Sequence, residues 1–171
     1  SKEGQTAGIA ERMAQALRNR GLAAETCPAN GAPARSELAK YDGLIVGASI
    51  HYGRHPHSVL SLVRNCRAVL EAGPSAFFSV SLSAGGPGAR PEAAQRYLEV
   101  FLRRARWHPR QTATFAGALR YSKYGTLKRM LIVMIVGLAG GDTDTSRDYE
   151  YTDWDAVERF CETFARRLKE R

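Results

Sequence analysis

With 171 residues, 44% of them hydrophobic and 25% charged, the chain is long enough for one globular domain with a sizeable core. The formal net charge of +8 calls for an anionic partner, but the excess is local: from Glu99 to Asp142 no Asp or Glu intervenes, while Arg103, Arg104, Arg106, Arg110, Arg120, Lys123, Lys128 and Arg129 all lie there. That confinement, without a helix-turn-helix, zinc-finger or RNP-like pattern, argues against a nucleic-acid binder. Cys27, Cys66 and Cys161, odd in number and far apart, exclude a disulfide framework or a cysteine metal cluster.

The apolar spacing predicts a helix over Thr6 to Arg20, with Ile9, Ala10, Met13 and Leu17 on one face and Gly21 as its stop. Leu22 to Cys27 reads as a short strand. Leu44 to Ala48 is an apolar run of the kind buried on both faces of a parallel sheet. A helix follows from His57 to Leu70, then a strand from Ser75 to Leu82. Pro91 suits the first turn of a helix reaching about Arg106, and Thr112 to Leu119 is the next strand. The last helix runs from about Trp154 to Leu168 behind a Thr152/Asp153 cap. Cys66 and Cys161 fall in apolar helical stripes, as reduced, buried cysteines of a cytosolic protein do. Strands alternating with helices predict an α/β fold built on a parallel sheet. Arg120 to Asp148 interrupts the alternation. It is far longer than an ordinary connection and reads as an insertion, with a helix over Gly125 to Leu138 too short to span a bilayer.

Three segments converge on the strand ends where open α/β sheets bind ligands. Ser1-Lys2-Glu3-Gly4-Gln5-Thr6 precedes the first helix, and its hydroxyls and glycine suit a loop curled around a phosphate at a helix N-terminus. An ordinary N-cap loop has much the same composition. Ala48-Ser49-Ile50-His51-Tyr52-Gly53 brings an aromatic ring that can stack on a planar group, or that simply faces solvent. Ser79-Val80-Ser81-Leu82, followed by Gly85-Gly86, supplies small residues that let backbone approach a ligand, or a plain flexible turn. Together the three favour a cofactor site. His51, His55 and His57 cluster here, but no carboxylate or cysteine accompanies them at ligand spacing, so no metal is expected.

Phosphate loop, aromatic loop and small-residue loop in this order resemble the flavodoxin arrangement for FMN. Longer stretches are more specific: Tyr41-Asp42-Gly43 through Ile50-His51-Tyr52-Gly53, Pro74 to Val80, Gly117-Ala118-Leu119-Arg120-Tyr121, Gly140-Gly141-Asp142-Thr143-Asp144-Thr145 and Tyr151-Thr152-Asp153-Trp154. These resemble the flavodoxin-like, quinone-dependent protoporphyrinogen oxidases of bacteria, over nearly the whole chain and including the insertion.

The resemblance implies a flavodoxin-like three-layer sandwich with strand order 2-1-3-4-5, forming a single FMN-binding domain. Its central first strand is missing ahead of Ser1, which points to a truncated sequence. The activity implied is oxidation of protoporphyrinogen IX to protoporphyrin IX in haem synthesis, with menaquinone or ubiquinone as acceptor, at the cytoplasmic face of the inner membrane. By position, Ser1, Lys2, Glu3, Gly4, Gln5 and Thr6 would hold the FMN phosphate. Ala48, Ser49, Ile50, His51, Tyr52 and Gly53, with Ser79, Val80, Ser81 and Leu82, would frame the ring. The basic insertion, running into the apolar block Met130 to Leu138, suits a surface for an anionic, greasy partner. Arg120, Lys123, Lys128 and Arg129 are the candidates for substrate propionates or anionic lipid; the alternative is that the block joins the core and the cations form a solvated rim. No catalytic acid or base stands out, since a flavin does the difficult redox step itself. A homo-oligomer is compatible with this reading, and a flavodoxin-like quinone reductase or electron carrier is the alternative to it.

Overall fold

The computed structural model describes residues 4–119, 121–123, 133, 136–137, 140 and 142–170. Its elements are α1 (Gln5–Arg18), α2 (Arg35–Leu38), β1 (Leu44–Ser49), α3 (His57–Ala72), β2 (Ser75–Ser81), α4 (Pro91–Ala105), β3 (Gln111–Ala116), β4 (Ala118–Leu119), β5 (Tyr149–Glu150) and α5 (Trp154–Lys169). The strands β1, β2 and β3 form a parallel sheet in that order, with Val46 opposite Phe77 and Phe77 opposite Thr112. The strand β4 pairs antiparallel with β5 in a separate two-stranded ribbon.

Strand alternation sends neighbouring side chains of β2 to opposite faces, and both faces are covered. Ala76, Phe78 and Val80 join Ile9 and Met13 of α1 and Val157, Phe160 and Phe164 of α5 in one cluster. Phe77 joins Val63 of α3 and Leu98 and Phe101 of α4, with Trp107, in the other. Every residue of β2 is consequently buried. At Gly47 the sheet tolerates no side chain, because a Cβ there would lie 2.1 Å from the Phe78 ring on the next strand. Cys66 and Cys161 are buried and unpaired, as their positions in the apolar stripes predict, and Cys27 is exposed.

Three expectations need correction. Leu22 to Cys27 takes no strand pairing among the described residues; a strand exists only with a ladder partner, and described β1 pairs with β2 alone. Leu22 and Ala24 instead pack on the α1/α5 cluster, and the Ala24 carbonyl accepts from Arg18 Nε at 2.8 Å. β1 is not buried on both faces: Leu44 to Gly47 are half-buried and only Ala48 is fully so, as suits the edge of the described sheet. The expected strand Thr112 to Leu119 breaks at Gly117. Its first part pairs with β2, and Ala118-Leu119 turns away to pair with Tyr149-Glu150, which closes the neck of the insertion. Of the expected helix Gly125 to Leu138, Val133, Val136 and Gly137 are described and helical; the rest lies outside the described residues.

Candidate functional site

The carboxyl ends of β1, β2 and β3 and the first turn of α1 meet at one edge of the sheet. Gly4 precedes α1 in a left-handed conformation, with φ of +85°, and among the described residues no side-chain cap is made at this N-terminus. The first turn holds no acidic residue, so the positive end of the helix dipole is not offset by a carboxylate there. Gln5 and Thr6 are buried, and Thr6 Oγ1 has no hydrogen-bond partner among the described residues. Ser1, Lys2 and Glu3 lie outside the described residues.

β1 continues into the sheet-end loop through Ile50, whose N–H donates to the Val80 carbonyl at 2.8 Å. His51 and Arg54 then exchange backbone bonds at 2.9 and 3.1 Å, closing a two-residue turn over Tyr52 and Gly53. Both turn residues have positive φ, +50° and +74°, the pattern of the tight turn that favours glycine at its second position. That geometry lifts the Tyr52 ring into solvent at 83% exposure. The three histidines do not converge. His51 Nε2 lies 2.9 Å from Ser49 Oγ, His55 Nε2 lies 2.9 Å from Ser79 Oγ, and His57 Nδ1 lies 3.2 Å from Ser61 Oγ. No cluster of metal-binding side chains occurs among the described residues. His55 packs its ring against Phe77 and Phe101, and this burial pushes it down to about 4, so it is neutral at neutral pH.

At the end of β2, Ser79 and Ser81 are buried, Val80 points into the α1/α5 cluster, and Leu82 starts a 3-10 turn with its side chain partly exposed. Ser79 is satisfied by His55, whereas Ser81 Oγ has no partner. Four buried side-chain polar atoms lack partners among the described residues. Thr6 Oγ1 and Ser81 Oγ are at this edge; Trp107 Nε1 and Gln111 Oε1 are at the opposite end of the sheet. Unpaired buried hydroxyls are costly and rare, and two at the mouth of a sheet are what a hydrogen-bonding ligand would satisfy. Gly86, with φ of +87°, lies so close to Tyr151 that a Cβ would come 2.8 Å from its ring.

Two residues that sequence reasoning did not place in the site complete the edge. Thr152, expected as part of the helix cap, leaves that task to Asp153, whose carboxylate accepts from the Ala156 N–H at 2.9 Å. The Thr152 hydroxyl instead accepts from Gln5 Nε2 at 2.8 Å and donates to the Ala116 carbonyl at 2.9 Å. Tyr151 donates from its N–H to the Gly117 carbonyl at 3.2 Å and from its hydroxyl to Asp142 Oδ2 at 2.5 Å. The one sequence signal that set both apart together was the Tyr-Thr-Asp-Trp stretch. Of the basic candidates, Lys123 closes the 3-10 turn Tyr121–Lys123, and Arg120, Lys128 and Arg129 lie outside the described residues. The described end of the apolar block packs on the neck: Val136 is buried with Leu119 and Tyr121. No helix among the described residues is long and apolar enough to cross a membrane.

Comparison with known proteins places this edge in context. Residues 1–146 match the family model described as "Flavodoxin domain", a domain type that implies a flavin cofactor. The chain is 34% identical over 165 residues to the protoporphyrinogen IX dehydrogenase [quinone] of Escherichia coli strain K12, covering 96% of this chain and 91% of that protein. It is 40% identical over 128 residues to a Leishmania major protein of the same name, covering 75% of this chain and 55% of that one. Among solved structures, the oxidised flavodoxin 1 of Bacillus cereus superposes with a TM-score of 0.54 at 16% identity, covering 97% of this chain and 92% of the other. The rubredoxin oxygen:oxidoreductase of Desulfovibrio gigas gives 0.56 at 14% identity, with 98% of this chain on 34% of that one. These two likenesses show the fold.

Proposed function

The chain belongs to the flavodoxin-domain family, among the protoporphyrinogen IX dehydrogenases, and from that premise we propose that it binds FMN and oxidises protoporphyrinogen IX to protoporphyrin IX with a membrane quinone as acceptor. The observation that carries this reading is the 34% identity to a dehydrogenase of that name over 96% of the chain, a span that includes the insertion. The orphaned hydroxyls of Thr6 and Ser81 support it independently, because they lie where a flavodoxin domain receives its cofactor.

In this reading the Gly4–Thr6 turn and the α1 N-terminus hold the FMN phosphate through backbone N–H groups and the Thr6 hydroxyl. Ser81 and the 3-10 turn after it would line the ring system, and Tyr52, already turned outward, would supply a stacking face. FMN, when bound, supplies the electron acceptance from the porphyrinogen and the electron donation to the quinone. The protein positions the macrocycle and keeps water from the exchange. His55, held neutral between Phe77 and Phe101, fixes the Tyr52 loop against β2 through Ser79. Arg120, Lys123, Lys128 and Arg129 serve the two propionates or anionic lipid phosphates, and the apolar block beside them rests on the membrane face that holds menaquinone or ubiquinone. The site is peripheral to the cytoplasmic face of that membrane.

The test is to supply purified, flavin-loaded protein with protoporphyrinogen IX and menaquinone or ubiquinone and follow porphyrin fluorescence. Quinone-dependent porphyrin formation is expected. Flavin reduction by other donors with no porphyrin formed would make it a flavodoxin-type carrier instead. Protein that neither retains nor takes up flavin would overturn the cofactor assignment.

A further inference from the structure

We infer that Thr152 is a positioning residue for the cofactor end of the sheet, and that the Tyr151-Thr152 pair links this end to the neck of the insertion, so that ordering one orders the other. The inference rests on reading the Gly4–Thr6 turn as the phosphate cradle.

One hydroxyl makes the first half of the link. By accepting from Gln5 Nε2 and donating to the Ala116 carbonyl, Thr152, itself 147 positions from Gln5 in sequence, fastens the first residue of α1 to the last residue of β3. Gln5 is buried, and this bond ties the first residue of α1 to the sheet end, so removing the acceptor loosens that tie. The next residue is Thr6, whose orphaned hydroxyl is part of the proposed cradle.

The second half runs through Tyr151. Its N–H is bonded to Gly117, where β3 ends and β4 turns away, and its ring lies directly on Gly86 in the loop after β2. Its hydroxyl reaches Asp142, and the Asp142 carbonyl accepts from the Tyr121 hydroxyl at 2.7 Å. Tyr121 stands at the start of the insertion and Asp142 near its end, so Asp142 joins the Tyr151 hydroxyl on its carboxylate to the Tyr121 hydroxyl on its carbonyl. Ser122 adds a clasp on the outer side, bonding from its N–H and hydroxyl to the two oxygens of Asp148 at 2.9 and 2.6 Å. Because Tyr151 and Thr152 are consecutive, neither half can move far without the other. A ligand that fixes the α1 turn therefore stabilises the neck, and by linkage whatever fixes the neck raises affinity for that ligand by the same factor.

The test uses FMN-loaded protein and reads two quantities other than turnover: FMN release on dilution, from flavin fluorescence, and tryptic cleavage within the insertion, which carries Lys123, Lys128 and Arg129. In the parent protein bound FMN is expected to slow cleavage there. Thr152→Val, which keeps the shape and removes the hydroxyl, should weaken FMN binding about tenfold and abolish the FMN-dependent protection. Thr152→Ser should restore both, which a packing defect would not allow. Tyr151→Phe keeps the ring on Gly86 and loses only the Asp142 bond; it should lose most of the protection and weaken FMN binding by no more than the protection factor it forfeits, less than Thr152→Val does. FMN binding and protection in Thr152→Val equal to the parent's would overturn the inference and leave the cofactor reading intact, as would parental protection unchanged by FMN. A parent protein that binds no FMN would overturn both.

Discussion

The central sheet and the neck of the insertion are held together in opposite ways. The sheet core is apolar and redundant: Phe77 alone meets Phe101 at 4.5 Å and Trp107 at 5.9 Å between ring centroids, inside a cluster drawn from two helices and two strands. The neck buries Leu119, Tyr121 and Val136, with Tyr149 and Tyr151 at its margin, and is fastened by individual hydrogen bonds from tyrosine and serine hydroxyls to Asp142 and Asp148. A core of the first kind degrades gradually and takes the whole domain with it. A neck of the second kind fails locally, because it rests on individual polar bonds that can be removed one at a time. The difference places the stable frame under the proposed cofactor site and the adjustable element beside it.

The frame is broken most severely at its centre. Phe77 is fully buried and stacked, so Phe77→Ala should cost about 3–5 kcal/mol of global stability through lost transfer energy and a residual cavity. Urea denaturation followed by tryptophan fluorescence measures this, with Trp107 beside the deleted ring as reporter. A loss below about 1 kcal/mol would mean that the core is not the cooperative unit described.

The neck should respond differently. Asp142→Ala removes the acceptor of the Tyr151 hydroxyl but keeps the carbonyl that receives Tyr121. A part-buried hydroxyl that loses a carboxylate partner costs about 2 kcal/mol. Amide exchange at Leu119 and Tyr149 should accelerate accordingly while the exchange of β2 stays near the parent's. A second readout is the phenol itself. Burial first, then the bond to Asp142 and its charge, hold Tyr151 well above the ordinary tyrosine range, so in the variant its tyrosinate absorbance should develop at lower pH. Uniform acceleration across β2 would show that neck and frame are one cooperative unit.

The frame was legible in the sequence for the reason it is stable. Helical and alternating periodicities repeat over many residues, and the bounds of α1, α3, β2, α4 and α5 follow from the spacing of Ile9-Met13, Val59-Val63 or Phe160-Phe164. Leu22 to Cys27 has the composition of a strand, but composition does not supply a ladder partner. The break at Gly117 was hidden because Ala118-Leu119 continues an apolar run smoothly while its partner, Tyr149-Glu150, lies thirty residues on. The proposed site was legible as three loops, since glycine, serine and an outward tyrosine at strand ends have local causes. Thr152 was not: a threonine beside Asp153 before a helix reads as a cap, and nothing in local pattern reports a bond to Gln5.

His55 tests where frame and site meet. Its imidazole packs on the Phe77 and Phe101 rings and meets the Ser79 hydroxyl, and burial pushes it down to about 4 from its ordinary 6.5. The folded state therefore binds the proton less readily than the unfolded chain. The stabilisation is complete above about pH 6.5 and is lost as pH falls from there through about 4. With part of the ring open to water, the swing should reach about 1–2 kcal/mol. Stability curves of parent and His55→Phe should run parallel above pH 7 and converge or cross below it, because the variant has no imidazole to protonate. Curves parallel down to pH 4 would show the imidazole solvated.

The smallest effect is at the seam between neck and frame. Asp153 follows Thr152 directly and caps α5 through the Ala156 N–H. Asp153→Ala should cost about 1 kcal/mol, the usual value of a lost side-chain cap, whereas Asp153→Ser should recover most of it. Because α5 packs on α1 and β2 rather than on the neck, the loss should appear as a lower global unfolding midpoint, with exchange at Leu119 and Tyr149 rising only in proportion. If exchange in the neck rose more than global stability fell, Asp153 would belong with Tyr151 and Thr152 to the junction, and the boundary between the two regions would lie one residue further along the chain.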